Sequence, residues 1–244
     1  VGSMIAASKI LPYPQTLPLT MTLTAMPLFL AALVVLSVKE PKRETPKENL
    51  FRIGLNGIKY LRSHKALRAL AIDMGLISST TFFIFWFYQP LLLNAGAPLS
   101  FLGFIAAGFN ILGVFLLARI TRIEKLLGAK RVLFFTALVP GIALLSLAVF
   151  RSFWLVLACV FAVAGFRLLR EPLFDHYMNR FIESRDRATV LSAVSMFKRI
   201  TLVILYPIVG FLSDLSVYYA VAFLGILTLV LAFLAQVDKG YLEN

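Results

Sequence analysis

An aspartate inside a long apolar segment is the first residue of this sequence that suggests specific chemistry. Asp73 lies within residues 69–93, and Thr80, Thr81 and Tyr88 follow it at offsets of 7, 8 and 15 residues. At 3.6 residues per helical turn, these side chains share one face about 100° wide. Because lipid cannot hydrogen-bond polar groups, such a face turns toward protein or water. The pattern predicts a substrate-binding wall, or threonines that bond their own helix backbone.

An aromatic run, FFIFWFY, occupies residues 82–88 of the same segment. Aromatic rings concentrate at membrane interfaces, which is one explanation of the run. The other is a cage for an aromatic or cationic compound, with Trp86 and Tyr88 as its first members. Asn110 and Tyr206 complete the predicted substrate-binding set. Asn110 also shares a face with small residues that suit close helix packing, namely Gly103, Ala106, Ala107 and Gly113.

Three charged residues inside apolar helices suggest a gate, meaning an ion pair that closes a path through the protein. Asp73, Arg167 and Arg199 each fall in roughly one third of an apolar helix, next to a basic loop. A charged residue costs about 2.5–3.5 kcal/mol at a helix centre, and arginine escapes this cost by snorkelling more easily than aspartate does. We expect Asp73 to pair with Arg167 or Arg199, with independent snorkelling as the alternative. Asp73 is also the acid best placed in these helices for proton coupling.

Composition assigns the chain to the membrane class. Of its 244 residues, 60% are hydrophobic and 15% are charged, against about 25% charged in soluble domains. A soluble protein of this length could not bury so much apolar surface. The formal net charge of +12 could suggest nucleic acid, but the basic residues divide among three loops instead of forming one surface.

Several segments are long and apolar enough to span a membrane, which takes about 20 helical residues. We predict an all-α polytopic transmembrane bundle of seven spans, at residues 17–38, 69–93, 99–118, 132–150, 152–172, 190–213 and 216–236.

The basic residues predict how these spans are oriented. Segments 38–68, 119–131 and 167–199 hold 21 of the 24 lysines and arginines, and the alternate loops are nearly uncharged. Cytoplasmic loops are enriched in Lys and Arg, so we expect an outside amino end and a cytoplasmic carboxyl end, in a plasma or inner membrane. The charged stretch 170–200 is then a cytoplasmic connection with a short surface helix. We expect it to lie near the central loop 39–65, which contains a helical stretch at 50–64.

Sequence motifs of enzymes and cofactor sites are missing. There is no GxSxG, HExxH or GxxxxGK[ST] motif, and Cys159 is the single cysteine. No Cys/His spacing suggests a metal. We therefore expect no enzyme activity, no catalytic residue, no cofactor and no metal.

The charged stretch resembles the loop between the tenth and eleventh helices of the major facilitator superfamily of secondary transporters. The matching residues are Arg170, Pro172, Leu173, Asp175, Tyr177, Asn179 and the run Arg187–Ser192, followed by Pro207 and the sequence GFLSD from Gly210 to Asp214. VKEPKRE at 38–44 resembles the exit from the family's sixth helix. RITRIEKLLGAKR at 119–131 resembles its loop signature after the eighth helix, but keeps only Gly128 and Lys130-Arg131.

The resemblance implies the carboxyl half of a twelve-helix transporter. Residues 1–38 would contain the end of a preceding helix and the last helix of the amino-terminal half. Residues 39–66 would form the cytoplasmic central loop, and 67–244 the carboxyl-terminal six-helix bundle. The implied partners are a small-molecule substrate, a coupling proton, the lipid bilayer and the missing half of the chain, with no nucleic acid. As two bundles rock, the gating contacts would include Asp175, Asn179, Arg187, Gly128 and Arg131.

The resemblance implies a secondary active transporter that works by alternating access. The aromatic run at 82–88 and the loop motifs favour proton-gradient-driven efflux of amphipathic compounds. An uptake permease of the same fold is one alternative. A receptor with seven helices and an outside amino end is the other.

The mass of the native polypeptide tests the resemblance. An antibody against residues 39–65 should detect a chain near twice this length in the source membrane. A native chain of 27.2 kDa would instead indicate a half-size transporter that dimerises, or a seven-helix protein.

Overall fold

The computed structural model describes residues 13–37, 57, 59–183 and 186–234, with the side chains of the first helix from residue 21 onward. The secondary-structure elements in this part of the chain are all helices, which confirms the all-α prediction. Their bounds are Tyr13–Ser37 (α1), Lys65–Phe82 (α2), Ile84–Asn94 (α3), Phe101–Leu117 (α4), Ile120–Leu127 (α5), Ala129–Val149 (α6), Phe153–Phe181 (α7), Arg187–Leu215 (α8) and Val217–Leu234 (α9).

The protein has the helices of a multi-pass membrane protein. Five described segments are long and apolar enough to cross a membrane, namely Lys65–Asn94, which combines α2 and α3, and the helices α6, α7, α8 and α9. If α4 and α5 together form one bent span, the number is six. The first predicted span, 17–38, lies partly outside the described side chains, so the predicted number of seven stays untested.

The chain divides into two compact units. One consists of Val1–Glu48 and Ala97–Gly108, and the other of Asn49–Gly96 and Phe109–Asn244. Within the first unit, the side chains of residues 21–37 are all exposed. The second unit contains the charged residues of the predicted gate.

Helix α2 is the centre of the second unit, where it contacts α6, α7, α8 and α9. Glycines allow α6 and α9 to approach each other closely. A Cβ atom on Gly225 would lie 2.8 Å from the backbone nitrogen of Leu145, and one on Gly141 would lie 2.7 Å from Leu229 Cδ2. Small residues serve this purpose in membranes, where van der Waals packing holds helices together.

One end of the second unit, which we call the basic end, has its own hydrophobic core. It forms where α2, α6 and α8 begin and α7 ends, around Leu67, Leu133, Phe174, Tyr177 and Val194. Side chains from α5 pack against the same core. Described parts of all three basic segments therefore meet at this end.

The described part of the central loop also packs at the basic end. Residues 57 and 59–63 are helical, and Tyr60 and Leu61 contact the core. A Cβ on Gly57 would lie 2.8 Å from the carbonyl oxygen of Thr189. The predicted proximity of this loop to the charged stretch is therefore confirmed for these residues.

The first part of the charged stretch, residues 170–181, differs from the prediction, because it is the end of a long helix. Helix α7 continues through Pro172 to Phe181. Leu173, Phe174, Tyr177 and Met178 are buried on one side of it, and this apolar stripe holds the charged turns against the bundle. The prediction of a loop with a separate short helix is wrong. It rested on the charged residues and did not take account of the buried apolar residues between them.

A glycine substitution tests the packing of α6 against α9. The methyl group of Gly225→Ala meets a backbone nitrogen that cannot rotate away, so we expect the free energy of unfolding to fall by about 1–3 kcal/mol. Gly210→Ala is the control, since it also lies within a helix but its Cβ would meet no heavy atom within 4 Å. It should be neutral or stabilising by up to about 1 kcal/mol. Equal thermal stability of the two variants in detergent would contradict the packing.

Candidate functional site

A buried ion pair joins α2 to α7 close to the basic end. Arg170 Nη2 lies 2.7 Å from Asp73 Oδ2. Arg170 is fully buried, and Asp73 is 5% exposed. A buried charge is tolerated only when it is paired and hydrogen-bonded. The pair therefore fixes which turn of α7 lies level with which turn of α2.

The guanidinium of Arg170 also reaches α6. Its Nη1 donates to Thr136 Oγ1 at 2.7 Å and to the carbonyl oxygen of Leu133 at 3.3 Å. The ring centre of Phe174 lies 4.6 Å from Arg170 Cζ. The planar fork of arginine suits such simultaneous bonds, which the single ammonium of lysine could not reproduce. One side chain therefore connects three helices.

Helical periodicity explains why Arg170 points inward. The buried residues of α7 recur every three or four positions, at Val156, Val160, Val163, Arg167, Arg170, Phe174 and Tyr177. Arg170 belongs to this inward stripe and cannot turn toward lipid. On α2, Asp73 lies between the buried residues Leu70 and Ile77 on the side that meets α7.

A second charged cluster adjoins the buried pair. Glu171 Oε1 forms a salt bridge with Lys198 Nζ of α8 and lies 3.8 Å from Arg167 Nη2. Asp175 is one turn further along α7 and is exposed. Two carboxylates and two basic groups therefore lie close together where α7 meets α8.

Glu171, Asp175 and Lys198 from this cluster border a cavity of about 210 Å³ between α2, α7 and α8. Its lining is half polar and half apolar, and consists of Glu171, Asp175, Ser195, Lys198, Met74, Met178, Leu191 and Val194. Met74 directly follows Asp73, and Glu171 directly follows Arg170, so the cavity adjoins the buried pair. It is smaller than the pockets of about 300–1,000 Å³ that hold drug-sized ligands. Its size and lining suit a small amphipathic molecule or proton exchange.

The structure corrects the predicted partner of Asp73, which is neither Arg167 nor Arg199. Arg167 pairs with Glu171, and its Cζ lies 4.8 Å from the ring centre of Phe85. Arg199 is exposed. The prediction failed because Arg170, at the end of the predicted span 152–172, was grouped with the charged cytoplasmic stretch. Helix α7 instead continues to Phe181 and holds Arg170 at the level of Asp73.

The two predicted threonines contact neighbouring protein groups. Thr80 and Thr81 are buried, and each hydroxyl donates to the carbonyl oxygen of Ile77 at 2.9 Å. Thr228 of α9 also donates to Thr80 Oγ1 at 2.7 Å. This geometry matches the alternative in which the threonines bond their own helix, and it adds a link between α2 and α9.

The other predicted substrate residues lie on different surfaces. Tyr88 is buried, with its ring centre 5.2 Å from that of Phe109, whereas Trp86 is 63% exposed. Asn110 is exposed on α4. Tyr206 is 43% exposed and contacts Phe83 edge-on. The structure does not bring these side chains together into one cage.

Five of the predicted gating residues lie at the basic end. Asp175 lines the cavity, and Asn179 is half-buried, with no hydrogen-bond partner for its Oδ1 among the described residues. Gly128 has a φ of +78°, which favours glycine, where α5 meets α6. Arg131 and Arg187 are exposed in the first turns of α6 and α8. Their gating role stays a prediction.

Sequence reasoning missed four residues of this site. They are Arg170 as the partner of Asp73, Thr136 as its anchor on α6, and the pair of Glu171 and Lys198. The regular spacing from Val163 through Arg167 and Arg170 to Phe174 was the available signal for Arg170. No comparable pattern distinguishes Thr136 from other threonines in apolar helices.

Comparison with protein-family models gives no match, and no curated protein matches the sequence. The class that the fold and the site define is an all-α protein with several membrane-length helices and ionisable residues inside its bundle. Membership of the major facilitator superfamily stays a prediction.

A double-mutant cycle tests the buried pair. Asp73→Asn or Arg170→Gln alone leaves one buried charge without its partner, so we expect each to lower the free energy of unfolding by about 3–5 kcal/mol. The double variant should lie closer to wild type than either single variant, since it leaves no buried charge unpaired. Thermal unfolding of all four proteins in detergent measures this, and additive losses would show that the two groups do not interact.

Proposed function

We propose that this protein is a secondary transporter that moves a small molecule across the membrane by alternating access. The observation that carries the proposal is the charged cavity beside the buried pair of Asp73 and Arg170. Ionisable residues inside a membrane bundle are costly, and they often mark substrate paths or proton relays. In the superfamily that the sequence resembles, a second bundle would supply the opposite wall of the transport path.

Glu171 and Asp175 are the coupling acids of this proposal, in place of Asp73. Arg170 holds Asp73 in a buried contact, whereas Glu171 lies at the cavity with Lys198. Protonation of Glu171 would remove its charge and release the ammonium of Lys198, which could then pair with Asp175. The exchange of one lysine between two carboxylates would let α8 shift along α7 when a proton binds.

The proposed mode is proton-driven efflux of amphipathic compounds, with uptake of a small solute as the alternative. Four apolar side chains in the cavity lining support an amphipathic ligand. The basic end would face the cytoplasm of a plasma or inner membrane, because cytoplasmic loops are enriched in Lys and Arg. The amino end of this chain would then lie outside.

Transport by the reconstituted full-length protein tests the proposal. Liposomes with an imposed pH gradient should move ethidium, the cationic amphipathic probe, at a rate that depends on the gradient. Glu171→Gln removes a charge-assisted contact with Lys198, so we expect the rate to fall roughly tenfold or more.

Asp214→Asn is the control for this experiment. Asp214 is an exposed acid in the last turn of α8, and the variant should transport at the wild-type rate. A Glu171→Gln variant that keeps the full gradient-dependent rate would contradict the coupling role. A wild-type transport rate that does not change with the pH gradient would contradict proton-driven efflux.

A further inference from the structure

Helix α5 is a short segment between two apolar helices. It is bent by 56° from α4, and at Gly128, which has a φ of +78°, the chain turns into α6. In a multi-pass protein, the point where the chain leaves one span and enters the next lies at the membrane surface. Because α5 turns away from the apolar helix α4 and carries Arg122 and Lys125, a position at the boundary between acyl chains and headgroups suits it.

The inward side of α5 is already occupied by protein. Ile120 and Ile123 pack against the core of the basic end. Glu124, the one acid in the sequence 119–131, is half-buried, and its carboxylate faces Tyr177 of α7. The acid is therefore withdrawn from the outer surface.

The outward side of α5 combines unpaired cations with an exposed leucine. Arg122 and Lys125 of α5 are exposed, as is Arg131 in the adjoining first turn of α6. None of the three forms a salt bridge within the part of the chain that the structure describes. Leu126 is 83% exposed. It follows Arg122 by four residues, so the two side chains are neighbours on the helix surface. Cationic and apolar groups thus share one small patch.

We propose that this patch, formed by Arg122, Lys125, Leu126 and Arg131, binds anionic phospholipid. Cations at a membrane surface are attracted to anionic headgroups, and the apolar residues of an interfacial helix enter the acyl boundary. The phosphate oxygens accept charge-assisted hydrogen bonds from arginine and lysine. A net negative headgroup is required because the patch has three cations and no exposed acid. A soluble phosphate would satisfy the cations but would leave Leu126 in water.

This inference is independent of the proposed transport function, since it uses neither the cavity nor the buried pair. It also differs from the general attraction of basic loops to anionic membranes, because it assigns the lipid to α5 and the adjoining first turn of α6 and requires Leu126.

Lipid retention by the full-length protein tests the site. Nanodiscs of phosphatidylcholine mixed with phosphatidylglycerol supply both lipids, and native mass spectrometry after transfer to detergent measures which one stays bound. The wild-type protein should retain phosphatidylglycerol preferentially. The triple variant Arg122→Gln, Lys125→Gln, Arg131→Gln should lose that preference at least about tenfold, since it removes all three cations that attract the headgroup.

The matched control removes the same charges from the start of α2, in the triple variant Arg62→Gln, Lys65→Gln, Arg68→Gln. These residues are also exposed at the basic end, and the control should keep most of the preference. Leu126→Gln, which changes no charge, should weaken retention as well. Equal losses in both triple variants, or no loss in either, would overturn the assignment to α5.

A photo-crosslink keeps the proposal testable if the triple variant does not fold. With benzoylphenylalanine in place of Leu126 and all cations intact, irradiation should attach phosphatidylglycerol. Attachment of phosphatidylcholine alone, or of no lipid, would contradict the site. Excess inorganic phosphate should not displace the retained lipid, and displacement would indicate a plain anion site.

Discussion

A guanidinium without access to water is the constraint on which the rest of this structure depends. Arg170 is fully buried and lies on the inward stripe of α7. Removing such a charge from water costs several kcal/mol even after the protein relaxes, and only close partners offset that cost. Asp73 supplies the opposite charge from α2, and Thr136 supplies an oxygen from α6. Three helices must therefore keep one relative register.

That register also determines where the cavity lies. Glu171 and Met74 are the next residues after Arg170 and Asp73, so fixing the pair brings them to the same level between α7 and α2. Lys198 then completes the cluster from α8. Because these groups lie around one buried contact, a change in the charge of Glu171 would alter the contact between α7 and α8. This connection is the physical basis of the proposed coupling.

The sequence predicted the helices better than their contacts. The segments 132–150 and 216–236 correspond closely to α6 and α9, because long apolar runs define membrane helices without any tertiary information. The extension of α7 was missed, since the many charges around Asp175 concealed the buried stripe of Phe174 and Tyr177. The partner of Asp73 was missed because periodicity shows only which residues share a face of one helix. Which helices become neighbours depends on tertiary packing.

The most direct test of this account is the thermal stability of Arg170→Lys in the full-length protein. Lysine keeps the positive charge near Asp73, but its ammonium cannot also hold Thr136 and the carbonyl of Leu133 in the same geometry. The account predicts a clear loss of stability, smaller than that of Arg170→Gln because the charge of Asp73 keeps a partner, while Arg131→Lys, at an exposed position, leaves stability unchanged. If Arg170→Lys unfolds at the wild-type temperature, charge alone suffices at this position, and the three-helix role of the guanidinium is contradicted.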